Sequence, residues 1–171
     1  MGSPETVFGM SLETYTLIHV LISLVGIGSG LVVLFGLLNG KRLDSWTALF
    51  LASTVATSVT GFGFPFDHLL PSHNVGIVSL VVLAVAIVGR YPLHLAGAWR
   101  RVYVVCAVLA LYLNVFVLVV QAFLKVPALN AMAPKQTEPP FVIAQGVVFA
   151  VFVVLGAMAA VRFRPESIAR S

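Results

Sequence analysis

Five long apolar runs restrict the folds available to this sequence more than any other feature. They cover about residues 15–38, 45–66, 74–91, 101–124 and 141–161. An α-helix needs roughly 20 apolar residues to cross about 30 Å of hydrocarbon, and lipid offers no partners to backbone polar groups, so a spanning segment must be helical. The runs therefore predict an all-α integral membrane bundle of five transmembrane helices in one domain, residues 1–171.

Composition agrees with a lipid environment. Hydrophobic residues make up 60% of the chain and charged residues only 9%, against about 25% charged residues in an average soluble domain. A soluble protein of this size has no way to hide so much apolar surface. The net charge of +4 is the basic excess expected of cytoplasmic loops, so we expect no nucleic-acid partner.

The basic residues predict how the bundle sits in its membrane. With five spans, one side of the membrane carries eight Lys and Arg residues and the other carries two. The eight are Lys41, Arg42, Arg90, Arg100, Arg101, Arg162, Arg164 and Arg170, and the two are Lys125 and Lys135. The positive-inside rule then places the N-terminus outside and the C-terminus in the cytoplasm, with anionic lipid head groups as partners of the basic side.

Polar residues inside the spans mark where a site is to be expected. At helical spacing they cluster in the outer half of the bundle, next to the loop that contains two histidines. The candidate ligand-binding or cofactor-binding residues are His19, His68, His73, Thr57, Asn114, Gln121 and Gln145. They predict an outward-facing polar pocket, and we expect no catalytic residue among them.

His19 is the titratable side chain that lies well inside an apolar run. An ionisable group at such a depth is by default a candidate functional residue, and neutral imidazole is a ligand of haem iron and other metals. With His73 or His68 it supplies the two histidines that haem b requires. The alternative is a structural histidine, hydrogen-bonded to Thr57 or to the helix that carries Ser23.

Three local features predict details of helix packing, of one helix end and of one connection. The segment GIGSG at 26–30 indicates close helix packing, since small residues let two backbones approach in lipid. Pro92 predicts that the third helix ends near Tyr91 because proline cannot donate a helix hydrogen bond. The connection at 125–140 is longer than a bundle needs and is a candidate lid.

A resemblance to known proteins rests on three stretches. They are TSVTGFGFPFDHLLPSHNVGIVSLVVLAVAIVGRY, HLAGAWRRVYVV and LYLNVFVLVVQAFLKVPALNAMAPKQTEPPF. In these stretches the chain resembles a group of small bacterial polytopic membrane proteins of no known function. The resemblance implies a multi-pass protein of the bacterial inner membrane and assigns no residue roles. A fainter similarity is to small haem-binding membrane bundles with histidines near one surface.

Three functional hypotheses follow from the sequence. The favoured one is a non-enzymatic membrane protein, either a subunit of a complex or homo-oligomer or a small-ligand binder with an outward-facing pocket. The second is a haem-binding or metal-binding redox protein that uses His19 with His73 or His68. The third is a small-solute transporter or channel. A carboxylate-driven pump is disfavoured because all six acidic residues lie outside the apolar runs.

Overall fold

The structure, a computed structural model, describes residues 6–65 and 71–164. Within these ranges the chain forms six helices, which confirms the predicted helical bundle. They are α1 (Leu12–Leu38), α2 (Asp44–Gly61), α3 (Pro71–Arg90), α4 (Trp99–Lys125), α5 (Pro127–Met132) and α6 (Pro139–Arg162). A hairpin that the sequence analysis does not anticipate precedes them, with β1 (Thr6–Val7) antiparallel to β2 (Met10–Ser11).

Four of the described helices are long and apolar enough to cross a membrane, namely α1, α3, α4 and α6. These four agree with a multi-pass membrane protein. The fifth predicted span corresponds to α2, which has 18 residues and is therefore about 27 Å long. Its serine and threonine residues make it less apolar than the others, and it ends at Gly61, earlier than the predicted residue 66.

Local sequence explains where several helices begin and end. Ser11 caps α1, because its hydroxyl oxygen accepts a hydrogen bond from the Thr14 backbone N–H at 3.2 Å, which satisfies one of the free donors of the first turn. Pro139 occupies the first position of α6, where its missing N–H costs nothing. The predicted effect of Pro92 is confirmed, since α3 ends at Arg90 and turns follow up to α4.

The first four long helices form a ring. In it α1 packs on α2, α2 on α3, α3 on α4, and α4 on α1, while α6 lies outside against α4 and α1. Contacts of Thr60 with Tyr15 and of Asp44 with Arg90 show that α1, α2 and α3 alternate in direction. We call the end where α1 begins the cavity end, and the opposite end, which contains Arg90, the clamp end.

The apolar core fills only the clamp half of the ring. Most of its deeply buried side chains come from the second halves of α1 and α3 and from the first halves of α2 and α4, and the end of α6 with its C-cap adds Ala159 and Phe163. They include Leu37, Phe50, Leu83, Tyr103 and Leu111. The helices approach closely here: a β-carbon added at Gly30 would lie 2.6 Å from Leu111 Cδ1 and 2.9 Å from the Phe50 ring.

The connection at 125–140 lies at the cavity end and is tied to α4. Asn130 Nδ2 donates to the Phe123 carbonyl oxygen at 3.2 Å, and Gln136 Nε2 donates to that of Val120 at 2.9 Å. Slight desolvation acts to raise the pKa of Glu138, but backbone N–H donors of Glu138, Lys135 and Thr137 and the charge of Lys135 outweigh it and lower that pKa. This connection thus contains the short helix α5 and is held against α4 by polar contacts.

Candidate functional site

The cavity half of the ring encloses a space of about 730 Å³, lined by α1, α2, α3 and α4 and by the residues just after α2. We call it the four-helix cavity. Its volume falls within the range of about 300–1,000 Å³ typical of small-molecule sites. The close contact of Gly30 with Phe50 and Leu111 lies on its clamp side, so the packed core closes the cavity beneath its floor.

Five of the seven candidate residues line this cavity. They are His19 on α1, Thr57 on α2, His73 on α3, and Asn114 and Gln121 on α4. Gln145 lies elsewhere, on α6, where its Nε2 donates to the Phe116 carbonyl oxygen at 3.1 Å. His68 lies outside the described residues.

His19 is held by Thr60. Its Nδ1 lies 2.8 Å from Thr60 Oγ1, and Thr60 Oγ1 also lies 2.7 Å from the Ala56 carbonyl oxygen within α2. The imidazole is therefore anchored through Nδ1, and Nε2 is the ring nitrogen left for a ligand.

The structural hypothesis for His19 named Thr57 or the helix of Ser23 as its partner, whereas the partner is Thr60. The ring of Phe64 completes the setting of the imidazole, edge-on at 5.1 Å between centroids. Tyr15 braces the same corner, because its hydroxyl donates to the Thr60 carbonyl oxygen at 2.7 Å. These contacts fix the orientation of the ring.

His73 approaches the cavity from α3. It is buried, and its ring stacks on Phe62 at 5.5 Å between centroids with an interplanar angle of 25°. Phe62 follows directly after α2, so the end of α2 contributes to holding both histidines. Among residues 6–65 and 71–164, no group of three or more His, Cys, Asp or Glu side chains comes together.

The floor of the cavity is polar and incompletely satisfied. Buried side-chain atoms without a hydrogen-bond partner among the described residues include Thr54 Oγ1, Thr57 Oγ1 and Asn114 Nδ2. Thr54 Oγ1 and Asn114 Nδ2 both lie 3.2 Å from the position of a β-carbon added at Gly26. Because an unmet buried polar group costs about 1–3 kcal/mol, such a cluster next to an empty volume indicates a place for a ligand or for water.

The wall and the rim of the cavity differ in character. Most of the wall is aliphatic or aromatic, with a polar Ser58–Ser79 pair whose hydroxyl oxygens are 3.1 Å apart. At the rim stands Lys125, the last residue of α4. Among the described lining residues there is no Asp or Glu, so the cavity offers hydrogen-bonding groups and one cation but no negative charge.

A second polar cluster lies at the clamp end. Arg90 is 1% exposed, and its Nη2 donates to Asp44 Oδ1 at 2.5 Å and to the Arg42 carbonyl oxygen at 3.2 Å. Its guanidinium also lies 5.1 Å from the centre of the Tyr103 ring, within the range of cation–π attraction. The sequence analysis places Arg90 among the basic residues facing lipid heads, whereas the structure buries it between helices.

Sequence reasoning missed the roles of several residues around these two clusters. Thr60 lies in the run of serine and threonine residues of α2, and its spacing from Thr57 gives no sign of which hydroxyl meets His19. Phe62 and Phe64 belong to the segment GFGF, which signals a helix end rather than a ring contact. Asp44 and Arg90 are 46 positions apart, and no local pattern connects them.

Comparison of the chain with protein-family models, with curated proteins and with solved structures gives no match.

Proposed function

We propose that this protein is a non-enzymatic integral membrane protein that binds a small, largely apolar ligand in the four-helix cavity. The observation that carries the proposal is the polar floor, where Thr57 Oγ1 and Asn114 Nδ2 border the cavity without partners among the described residues. A ligand that accepts hydrogen bonds from these groups would remove their desolvation cost. The aliphatic and aromatic wall supplies the apolar contact that dominates small-molecule sites.

The proposal includes the membrane arrangement predicted from sequence: five spans in a bacterial inner membrane, with the cavity end outside. The support is that α2 extends between the same two ends of the bundle as its neighbours. It contacts the start of α1 through Thr60 and the end of α3 through Asp44. Its hydroxyls face protein groups such as Ser79 and His19, which makes a less apolar helix tolerable in lipid.

Ligand binding is tested by the unfolding temperature of the purified protein against quinones, fatty alcohols, anionic phospholipids and haem. A ligand that binds only the folded state raises this temperature. We expect at least one class to raise it in the native protein and not in Val117→Phe, which fills the cavity. Val147→Phe, a change on the exposed face of α6, should keep the rise. If no class raises the temperature of the native protein, the proposal is wrong.

A haem-binding function is the second candidate, because His19 and His73 line the same cavity. The hydrogen bond between His19 Nδ1 and Thr60 holds the ring in the way that outer partners hold metal-ligating histidines, and it leaves Nε2 for a metal. An oxidised-minus-reduced visible spectrum of protein produced with a haem precursor tests it. A Soret band that is lost in His19→Ala would favour haem over the small-ligand proposal.

A further inference from the structure

We propose that the ligand of the four-helix cavity is an uncharged ring of the quinone class that enters from the lipid between α1 and α4. This inference rests on the proposed function and specifies its ligand. Its basis is a lateral opening of the cavity, the Nε2 atom of His19 and donor groups on the cavity floor.

The lateral opening follows from residues that belong to the cavity and to the outer surface at once. Val20 and Leu24 on α1 and Leu118 on α4 line the cavity, yet their exposed fractions are 40%, 47% and 42%. Below this level Gly26 and Gly30 hold α1 against α4, near Asn114 and Leu111. The two helices therefore enclose the cavity at its floor and leave an apolar gap above it, through which a lipid-dissolved molecule can pass.

His19 offers a ligand the ring nitrogen that Thr60 does not hold. Its Nδ1 is bonded to Thr60, so Nε2 is left for a ligand. The quinone couple suits Nε2 in either tautomer, since a quinol hydroxyl donates to a lone pair and a quinone carbonyl oxygen accepts from an N–H.

The floor of the cavity calls for a ligand that accepts a hydrogen bond. Asn114 Nδ2 is a donor without an acceptor among the described residues, and the Thr57 hydroxyl lies between the levels of Asn114 and His19. Gly26, which lies beside Asn114 Nδ2, is seven positions after His19 on α1, so the two polar levels are about 10 Å apart along the helix axis. A ring with oxygen atoms at opposite edges and apolar faces suits this spacing.

An anionic phospholipid is the main competitor because Lys125 stands at the rim. Lys125 is exposed, so its ammonium group is available at the membrane surface, where a lysine is normally solvated. A lipid head bound there would leave the donors on the floor unsatisfied. The observations therefore favour an uncharged ring deep in the cavity over a charged head at its rim.

The test is the binding of decylubiquinone and its quinol to the full-length protein in nanodiscs of phosphatidylcholine. We expect saturable binding to the native protein, at least tenfold weaker in Asn114→Leu and in His19→Phe. The matched control is Gln145→Leu, which also removes a buried amide from a membrane helix but lies outside the cavity. Binding by this control should be unchanged, and His19→Gln, which keeps an acceptor, should bind better than His19→Phe.

Any other result contradicts the quinone assignment, or both that assignment and the small-ligand function. Equal weakening in Asn114→Leu and Gln145→Leu would overturn the quinone assignment, since binding would then follow general stability rather than the cavity. No quinone binding, together with a rise in unfolding temperature caused by phosphatidylglycerol, would also overturn it and leave the small-ligand function standing. The absence of binding by every class tested would remove both.

Discussion

At the scale of single residues, the two polar clusters of the bundle differ in how their charges and protons are arranged. Around His19 the hydrogen-bonding partners are uncharged: the Thr60 hydroxyl meets Nδ1, and Tyr15 braces the Thr60 backbone. Around Arg90 a full charge is buried, with Asp44 and a backbone oxygen as partners. The first arrangement leaves an atom free for a ligand, and the second holds three helices together.

Loss of the Arg90–Asp44 pair at the clamp end should destabilise the protein more than loss of the exposed Arg42–Asp44 pair. Asp44→Asn leaves the buried guanidinium of Arg90 without its counter-charge, and we expect a loss of about 1–3 kcal/mol in the free energy of unfolding. The low end allows for the exposure of Asp44, because solvent screens an exposed carboxylate. Unfolding of the detergent-solubilised protein, followed by circular dichroism, measures the change.

Arg42→Gln is the matched control for this substitution. It removes the other ion pair of Asp44, Arg42 Nε to Oδ1 at 3.4 Å, in which both side chains are largely exposed. Exposed pairs contribute about 0–1 kcal/mol, so the control should cost less than Asp44→Asn. An equal loss in the free energy of unfolding for both variants would mean that the burial of Arg90 does not strengthen its pair with Asp44.

At the scale of elements, α1 shows how one helix serves both halves of the molecule. Its first half carries His19 and Ser23 to the cavity, and its second half carries Val33 and Leu37 into the core. Gly26 and Gly30 mark the boundary, since they bring α1 closest to α2 and α4. The segment GIGSG thus packs helices, as its small residues predict, and at the same time forms the cavity floor.

This boundary predicts opposite effects for two substitutions only two positions apart. Gly30→Ala places a β-carbon 2.6 Å from Leu111 and 2.9 Å from Phe50, both buried, and such overpacking costs about 1–3 kcal/mol. A β-carbon at Gly28 meets nothing within 4 Å, so Gly28→Ala should be neutral or stabilise by up to about 1 kcal/mol. Unfolding in detergent compares them, and a Gly28→Ala variant as unstable as Gly30→Ala would contradict the packing described.

At the scale of the whole molecule, the bundle is divided into a packed half and a hollow half. Close packing at the clamp end fixes the helices relative to one another, so that their other ends can stand apart around the cavity without collapsing. The ordered connection at 125–140 and the hairpin at the N-terminal side lie at the hollow end. This division allows a site to exist in a bundle of modest size.

The proposed membrane arrangement predicts which connections face the cytoplasm. Green fluorescent protein, which fluoresces only when it folds inside the cell, should be bright when fused after Lys41 or at the C-terminus. Alkaline phosphatase, which is active only outside the cytoplasm, should be active when fused after Pro65 or Lys135. Inactive phosphatase at Pro65, with bright fluorescence there, would show that α2 does not cross the membrane.

The sequence predicts the position of a residue along its helix axis more reliably than the direction in which its side chain points, for a physical reason. Position along a helix axis depends only on the constant rise of about 1.5 Å per residue, so the placement of His19, Thr57 and Gln121 in the same half of the bundle follows from their numbers alone. Rotation about the axis depends on neighbouring helices. In lipid, apolar residues cover every face of a helix, and hydrophobic periodicity no longer marks the side that faces protein.

Asn114 and Gln145 illustrate this limit. Both are amides within apolar helices, yet Asn114 reaches the cavity while Gln145 bonds to the α4 backbone beside Phe116. Their sequence surroundings do not distinguish them, because the difference lies in how α4 and α6 pack. The same holds for Thr60 in place of Thr57 as the partner of His19.

The sequence by itself determined the helical class of this protein and the lipid surroundings that its apolar helices require. It also determined the helix end before Pro92 and the levels at which polar groups occur. These follow from the transfer of apolar surface to lipid, the need to satisfy the backbone there and the geometry of one helix. Only the tertiary structure decided that four helices diverge into a cavity, that Thr60 holds His19 and that Asp44 meets Arg90. Those outcomes depend on contacts between distant segments, which are chosen by the packing of the whole bundle.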